Sequence, residues 1–343
     1  MKTKRFFFIL LILAVLLAAG CAAPAAPTDE PTAVPEPTAV PEKLVIGMAT
    51  ITSHPSLDQI KQGVIDKLAE AGFVDGDNVT ILQGNAEGDM ATLTTIIQQY
   101  VDEDVDIIVA TTTAALQAAY NITKDLGGPP IIFNGVSNPY TAGVAVAPDD
   151  HPAWILGNQL LDPVKETLNL IKEINPDAAI VGIVYNPGEA NAAYLVEIAK
   201  NVAAEMGMTL ELATVANTSE VQTAADTLVG RGVDAFMALS DNTVASGFEP
   251  LVQVANDNDI LLVGTSASFP PRGAAASYGV NPYQEGLDSG DLVVRFLQGE
   301  LDLATASIEI QDAVLLTVNP AAAIEQGFEI PQTLLDKADS IIE

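Results

Sequence analysis

Carboxylates and hydroxyl groups follow several apolar segments of this chain, and their chemistry indicates one class of small molecule. Glu189 and Asp241 each stand just after such a segment, and a carboxylate suits an ammonium group. Residues 111–113 are three threonines that lead into a predicted helix. Free N–H groups at a helix start suit a carboxylate. An α-amino acid carries both groups, so the pattern predicts an amino-acid site.

Six polar loops share this chemistry, and each follows a predicted strand. They are residues 50–55, 111–113, 134–139, 185–191, 240–243 and 265–268. In parallel α/β sheets, ligands bind beyond the carboxyl ends of the strands. We therefore expect the six loops to meet at one site.

Each of these positions also has a simpler structural interpretation. Thr113, Ser219 and Asn242 suit helix N-caps, and residues 186–188 suit a turn. Glu189, in the first turn of a predicted helix, suits the helix dipole. The shared position of all six loops at one end of their strands favours the functional interpretation.

The two histidines, His54 and His151, are far apart in sequence and lack the spacing of metal ligands. We expect no metal site and no cofactor. His54 beside Pro55 suits capping or packing. Trp154 suits either stacking on an aromatic ligand or packing, and packing is commoner for a single tryptophan. The roles of Trp154 and His151 stay open.

Short apolar strands alternate with amphipathic helices through most of the chain, which predicts α/β architecture with parallel sheets. A first series runs to residue 133, with strands at 43–49, 79–82, 107–110 and 131–133 and helices at 56–71, 90–102 and 114–126. A break rich in Gly, Pro, Asn and Asp follows at 134–162.

A second series then follows, with helices at 163–174, 189–206, 219–231 and 244–259 and strands at 179–184, 209–215, 235–239 and 260–263. Residues 273–343 hold too few elements for a third lobe, so they complete the first two and the chain crosses between lobes more than once. We expect lobe 1 at 43–160 plus about 270–300, and lobe 2 at 161–269 plus about 301–343.

The first residues predict export. Lys2, Lys4 and Arg5 precede an apolar run, 6–17, that is too short to span a membrane, and small residues lead to Cys21. We expect a lipoprotein signal peptide at 1–20, a lipidated Cys21, and a Pro- and Thr-rich tether at 21–42. The alternative is a secreted protein whose cysteine is incidental.

The formal net charge of −31 excludes most polyanionic partners. Nucleic acids and anionic lipids attract clustered Lys and Arg, whereas this chain has 14 Lys and Arg against 45 Asp and Glu. We therefore expect no nucleic-acid partner. Cys21 is the sole cysteine, so no disulfide is available.

Seven motifs, in this order and spacing, resemble the substrate-binding proteins of ABC importers, of the tryptophan and tyrosine receptor type. They lie at residues 54–58, 72–76, 113–117, 133–139, 185–191, 241–246 and 279–286. The resemblance implies the type I periplasmic binding protein fold, with two Rossmann-like lobes joined by a three-crossing hinge. It also implies a non-enzymatic, monomeric receptor on the outer face of the bacterial cell membrane. Its partners would be a permease and an ATPase.

The resemblance further implies that the ligand is a small molecule, often an aromatic amino acid. Carried over position by position, the ligand contacts are Ser53, Thr113, Asn138, Glu189, Asn191 and Asp241. The chain departs from the family pattern at Asn138, where aspartate is frequent, and at residues 148–159, a longer stretch than usual.

Three other functions are open at this point. An enzyme could pair Glu189 with Asp241, but the sequence lacks a nucleophile elbow, a Walker loop and a dinucleotide fingerprint. A sensing module for a signalling receptor would use the same fold. A sugar or nucleoside could replace the amino acid, although aromatic residues, which stack on sugars, make up only 5% of the chain.

Overall fold

Two β-sheets packed with helices organise residues 43–343, the part of the chain that this computed structural model describes. The predicted signal peptide, Cys21 and the tether lie outside the described residues. Within the sheets, Ile107, Ile108 and Val109 are consecutive and all fully buried. Since successive strand residues point to opposite faces, both faces of this sheet are covered.

The first segment of the chain alternates strands and helices as expected. Its elements are β1 (Leu44–Thr50), α1 (Pro55–Glu70), β2 (Val79–Asn85), α2 (Met90–Asp102), β3 (Ile107–Thr111), α3 (Thr113–Thr123), β4 (Ile131–Val136) and β5 (Ile155–Leu160). Strand β5 falls within the segment 134–162 that the sequence analysis interpreted as an irregular break. Its Gly, Asn and Gln residues hide the strand pattern.

The second segment follows the same alternation. Its elements are α4 (Val164–Ile174), β6 (Ile180–Tyr185), α5 (Ala190–Glu205), β7 (Thr209–Thr214), α6 (Val221–Gly230), β8 (Ala235–Ala238), α7 (Asn242–Ser246), α8 (Phe248–Asp257), β9 (Leu261–Gly264) and β10 (Ala276–Val280). The predicted helix 244–259 is two helices, because the chain breaks at Gly247.

The last segment of the chain contributes elements to both lobes. Its elements are α9 (Pro282–Leu297), β11 (Glu309–Gln311), β12 (Val314–Val318), α10 (Pro320–Glu325), α11 (Gln332–Leu335) and β13 (Ser340–Ile341). Asn281 caps α9 by accepting hydrogen bonds from the N–H groups of Tyr283 and Gln284, and Pro282 occupies the first helical position.

The strand order defines two lobes. The first sheet has the order β11-β5-β4-β3-β1-β2 and is entirely parallel. The second has the order β13-β12-β10-β9-β8-β6-β7, with one antiparallel pair, β10 and β12. The predicted fold class, α/β with two Rossmann-like lobes, is confirmed.

The chain crosses between the lobes three times, at residues 161–163, at Asn281 and at residues 312–313. The second and third crossings come later than the expected boundaries near 270 and 301. Strand β10 pairs with β9 and so belongs to the second lobe, whereas β11 pairs with β5 in the first. Strand periodicity does not indicate which sheet edge a strand joins, which explains the difference.

Helices α1 and α9 approach unusually closely in the first lobe. Three glycines make this contact: a Cβ at Gly286 would lie 2.1 Å from the carbonyl oxygen of Ile60, and one at Gly63 would lie 2.4 Å from that of Tyr283. At Gly290 the backbone of Val64 is 3.1 Å from such a Cβ. Small residues thus allow the two helices to touch through their backbones.

None of the helices in residues 43–343 combines the length and apolar character required to span a membrane.

The α1–α9 contact generates a stability prediction. Gly286→Ala places a methyl group against backbone, which cannot move aside as a flexible side chain does. We expect the free energy of unfolding to fall by roughly 1–3 kcal/mol, the usual cost of overpacking. Urea denaturation measures this change.

Gly230→Ala is the matched control. Gly230 ends α6, and a Cβ there meets no atom within 4 Å. Alanine is the better helix former, so this variant should be unchanged or up to about 1 kcal/mol more stable. Equal stability of the two variants would contradict the packing argument.

Candidate functional site

A cavity lies between the two lobes, at the carboxyl ends of the strands. First-lobe residues on its wall include His54, Leu57 and Ile60 from the start of α1, and second-lobe residues include Asp241 and Phe269. We call this space the inner cavity. The polar side chains on its wall are His54, Ser56, Ser137, Asp162, Asn191, Ser240, Asp241, Asn242, Thr265, Ser266 and Glu285. The expected convergence of polar loops from both lobes is therefore present.

Three carboxyl groups line the inner cavity: Asp162, Asp241 and Glu285. No lysine or arginine of residues 43–343 is part of its wall. The cavity thus suits a positively charged group wherever one of these carboxyl groups is ionised. Its apolar wall, formed by Leu57, Ile60 and other residues, suits an uncharged hydrophobic group beside that charge.

Burial changes the titration of these groups. It raises the pKa of Glu285 to about 8, although the N–H of Gly135 donates to its Oε1 and favours the ionised form. Burial also raises the pKa of Asp162 to about 6, against a hydrogen bond from Ser240. For Asp241, burial and the neighbouring Glu189 carboxylate raise the pKa well above its ordinary value.

Asp241 holds its own loop in place. Its Oδ1 accepts a hydrogen bond from the N–H of Val244 at 2.9 Å and so caps α7, and its Oδ2 accepts from the N–H of Asn186 at 2.6 Å. It is 1% exposed. The side chain ties the loop after β8 to the loop after β6.

Glu189 also connects the same two loops through hydrogen bonds. Its Oε1 accepts from the N–H and the hydroxyl of Thr243, and its Oε2 accepts from the N–H and the side-chain amide of Asn242. Asn191 donates to the carbonyl oxygen of Ser240 at 2.8 Å. This network shapes the second-lobe half of the cleft.

The six predicted contact residues do not all lie together. Asp241 and Asn191 line the inner cavity. Glu189 and Asn191 line an outer part of the cleft, the mouth, which also includes Thr52 and Gln117 of the first lobe. Five of the six loops thus contribute to one of these two spaces or both, and residues 111–113 line neither.

The other three predicted residues line neither the inner cavity nor the mouth. Ser53 is exposed, and its hydroxyl donates to Asp58 at 2.9 Å. Thr113 is buried at the start of α3, and Asn138 accepts from the N–H groups of Tyr140 and Thr141 in a turn. Ligand contact by all six residues stays a prediction.

Asp162 and Glu285 line the inner cavity, and neither is among the six predicted contact residues. Asp162 ends the irregular segment 134–162, just after β5, a strand that periodicity did not detect. Because the apolar pattern of β5 is broken, the sequence carries no sign that Asp162 follows a strand. Glu285 lies in the first turn of α9, where an acid is expected for the dipole alone.

Polar contacts join the lobes across the cleft. Thr52 Oγ1 lies 3.4 Å from Ser246 Oγ, and His54 Nε2 lies 3.4 Å from Asn242 Oδ1. The Ser56 hydroxyl contacts that of Ser268. Burial lowers the pKa of His54 to about 4, so this imidazole is neutral at pH 7.

Trp154 and His151 lie away from the cleft. The Trp154 indole N–H donates to the hydroxyl of Thr123 at 3.1 Å, and the ring packs against the first-lobe core. A nitrogen of His151 lies 2.8 Å from the carbonyl oxygen of Ala306. The packing interpretation of Trp154 is therefore the one the structure supports. No group of three or more His, Cys, Asp or Glu side chains in residues 43–343 is placed to hold a metal ion.

We expect Glu285 to make the free energy of unfolding depend on pH. Its pKa rises from 4.5 in the unfolded chain to about 8 in the folded protein. Across that window the folded state retains a proton that the unfolded state has lost, so the free energy of unfolding falls as pH rises. Glu285→Gln keeps an acceptor for Gly135 and removes the titration.

Urea unfolding between pH 5 and 8 measures the effect. We expect the wild-type protein to lose roughly 1–3 kcal/mol more over this range than Glu285→Gln, since one pKa unit corresponds to about 1.4 kcal/mol. Glu300→Gln, at an exposed position just after α9, is the control and should follow the wild-type protein. Parallel curves for wild type and Glu285→Gln would show that Glu285 is not a buried acid.

Known proteins resemble this chain over nearly all of the residues that the structure describes. The family described as ABC transporter substrate binding protein matches residues 45–342. A tyrosine-binding protein of Clostridioides difficile (strain R20291) is 32% identical over 255 residues, which cover 74% of this chain and 73% of the relative.

Two solved structures share the fold, one in complex with a ligand and one ligand-free and open. An ABC domain in complex with L-Trp from Streptococcus pneumonia has a TM-score of 0.81 at 30% identity, covering 88% of this chain and 100% of that one. The ligand-free, open structure of a substrate-binding protein with adhesive properties from Clostridium difficile has a TM-score of 0.64 at 29% identity, with 88% and 99% covered.

The resemblance seen in the sequence motifs is confirmed. Because the family match spans nearly all of the described residues, the chain belongs to the ABC transporter substrate-binding proteins, which bind solutes and are not enzymes.

Proposed function

We propose that this protein is the extracytoplasmic receptor of an ABC importer and that it binds an amino acid, with an aromatic side chain, between its two lobes. The observation that carries this proposal is the inner cavity, where three carboxyl groups and no lysine or arginine of the described chain stand beside an apolar wall. A ligand with an ammonium group and a hydrophobic side chain matches both features.

The relatives support an aromatic amino acid. One is a tyrosine-binding protein and another was solved in complex with L-Trp, both at 30% identity or more. In this chain, Leu57, Ile60, Phe269 and Val280 give the inner cavity an apolar wall on which a ring can pack.

The hydroxyl groups of the cleft suit the carboxylate of the same ligand. Ser56 lies in the first turn of α1, where backbone N–H groups have no partner within the helix, and Ser266 faces it from the second lobe at 3.4 Å. Phe269 is the one aromatic residue on the described wall of the inner cavity. A sugar site, which usually stacks a ring on each face of the pyranose, is therefore less well matched.

We propose that binding closes the lobes by a hinge at the three crossings. The higher TM-score with the L-Trp complex than with the ligand-free, open structure supports a closed arrangement of the lobes here. The hydroxyl contacts of Thr52 with Ser246 and of Ser56 with Ser268 support it as well. A sensing module would close in the same way, and a permease and an ATPase encoded beside this protein would favour import.

We further propose that the protein is exported and held on the outer face of the cell membrane by a lipid on Cys21. The charged start, the short apolar run and the small residues before Cys21 support this placement. A monomer suffices for the proposed function, since one chain supplies both halves of the cleft.

The ligand proposal predicts stabilisation by amino acids. A chain that begins at Lys43 contains the whole compact unit of residues 43–343 and is suitable for thermal unfolding. We expect L-tyrosine or L-tryptophan to raise its unfolding midpoint by several degrees, because ligand at 100 times Kd adds about 2.7 kcal/mol. The rise should grow with ligand concentration.

Glycine and a small panel of sugars and nucleosides are the controls, and we expect no rise with them. A rise with a sugar or nucleoside and none with any of the twenty amino acids would keep the fold and reject the proposed ligand.

The anchor proposal predicts detergent partitioning. Full-length protein produced in a bacterium should enter the detergent phase on Triton X-114 separation, since a diacylated cysteine supplies two acyl chains. Cys21→Ser should remain in the aqueous phase. Full-length wild-type protein in the aqueous phase would reject lipidation and favour a plain secreted form.

A further inference from the structure

Asp162 lies at the first crossing between the lobes, just after β5, and lines the inner cavity with residues of both. Its Oδ1 accepts a hydrogen bond from the hydroxyl of Ser240 in the second lobe. Ser137 of the first lobe lines the inner cavity together with Asp162. The side chain therefore stands where the two lobes and the hinge meet.

The second oxygen of this carboxylate has no partner. Asp162 Oδ2 is buried, and no donor within residues 43–343 reaches it. A buried carboxylate oxygen without a hydrogen bond or a cation is costly, so such oxygens are rare outside functional sites. Since Asp162 lines the inner cavity, a group bound there can supply the missing contact.

The other carboxylates of the cleft already have partners. Both oxygens of Asp241 accept backbone N–H groups, and both oxygens of Glu189 accept from Asn242 or Thr243. Glu285 accepts from Gly135, and with a pKa of about 8 it carries a proton at pH 7. Asp162, with a pKa of about 6, is mostly ionised at the same pH.

We propose that Asp162 binds the ammonium group of the ligand, and that Asp241 and Glu189 act by shaping the loops around it. This inference rests on the proposed function, since it names the residue that recognises the amino group of an amino acid. It moves the ammonium contact from the second lobe, where the sequence analysis placed it, to the hinge.

A comparison of two ligands in two proteins tests the proposal. The ligands are L-tyrosine and 3-(4-hydroxyphenyl)propionate, which lacks only the amino group, with L-tryptophan and 3-(indol-3-yl)propionate as a second pair. Isothermal titration gives Kd for the amino acids, and competition gives it for the analogues. The variant is Asp162→Asn, which retains size and an acceptor for Ser240 but removes the charge.

We expect Asp162→Asn to weaken amino-acid binding at least about 30-fold, the lower end for breaking a buried charge pair. Binding of the desamino analogue should change less than about threefold, so the preference of the wild-type protein for the amino acid should nearly disappear. Asp226→Asn, at an exposed position on α6, is the matched control and should bind like the wild-type protein.

Each other outcome has a distinct meaning. An equal loss for the amino acid and its analogue would make Asp162 a structural residue and reject the inference, and so would unchanged binding of both. A wild-type protein that binds no amino acid would reject the proposed function together with the inference. Circular dichroism and the unfolding midpoint of Asp162→Asn separate a binding defect from a folding defect.

Discussion

Burial of carboxyl groups between two lobes is the constraint on which the cleft depends. An ionised carboxylate taken out of water costs several kcal/mol unless hydrogen bonds or a cation replace its hydration. Asp241 replaces that hydration with two backbone N–H groups, and Glu189 does so with N–H, hydroxyl and amide donors. Glu285 avoids the cost by retaining a proton near neutral pH. These three solutions shape the loops around the inner cavity.

Each lobe is held together by its own internal contacts, and the crossings between the lobes are short. In the first lobe, the glycines of α1 and α9 bring the two helices into backbone contact, which fixes Glu285 relative to His54 and Ser56. In the second lobe, Asp241 and Glu189 tie neighbouring loops together. Between them the chain crosses in segments of three, one and two residues. Short crossings between two packed lobes are the architecture that hinge closure of two rigid bodies requires.

The sequence predicted the fold well where periodicity is strong. Helix α2 was expected at 90–102 and has those bounds, and the alternation of strands and helices predicted two lobes. It did not predict β5, whose polar residues break the apolar pattern, nor the sheet to which β10 belongs, because pairing between distant strands leaves no local signal.

The site was harder to predict than the fold, for a physical reason. Asp241 and Glu189 were found because they follow strands, but residue type does not show whether a carboxylate faces a ligand or caps a helix. That difference depends on which N–H groups lie within about 3 Å, and those belong to other loops. Asp162 differs from Asp241 and Glu189 in both respects. It follows no strand that the sequence predicted, and one of its oxygens is buried without a partner in the described chain.

The place of Asp162 also bears on how a receptor of this kind closes. A ligand shifts an equilibrium between open and closed states only through a difference in its affinity for them. A charge pair exposed to water contributes little, whereas the same pair in a dry cavity is much stronger. An ammonium contact at the hinge, beside Ser240 of the second lobe, gains most of its strength when the lobes come together. One contact would then provide both recognition of the amino group and the free energy that favours closure.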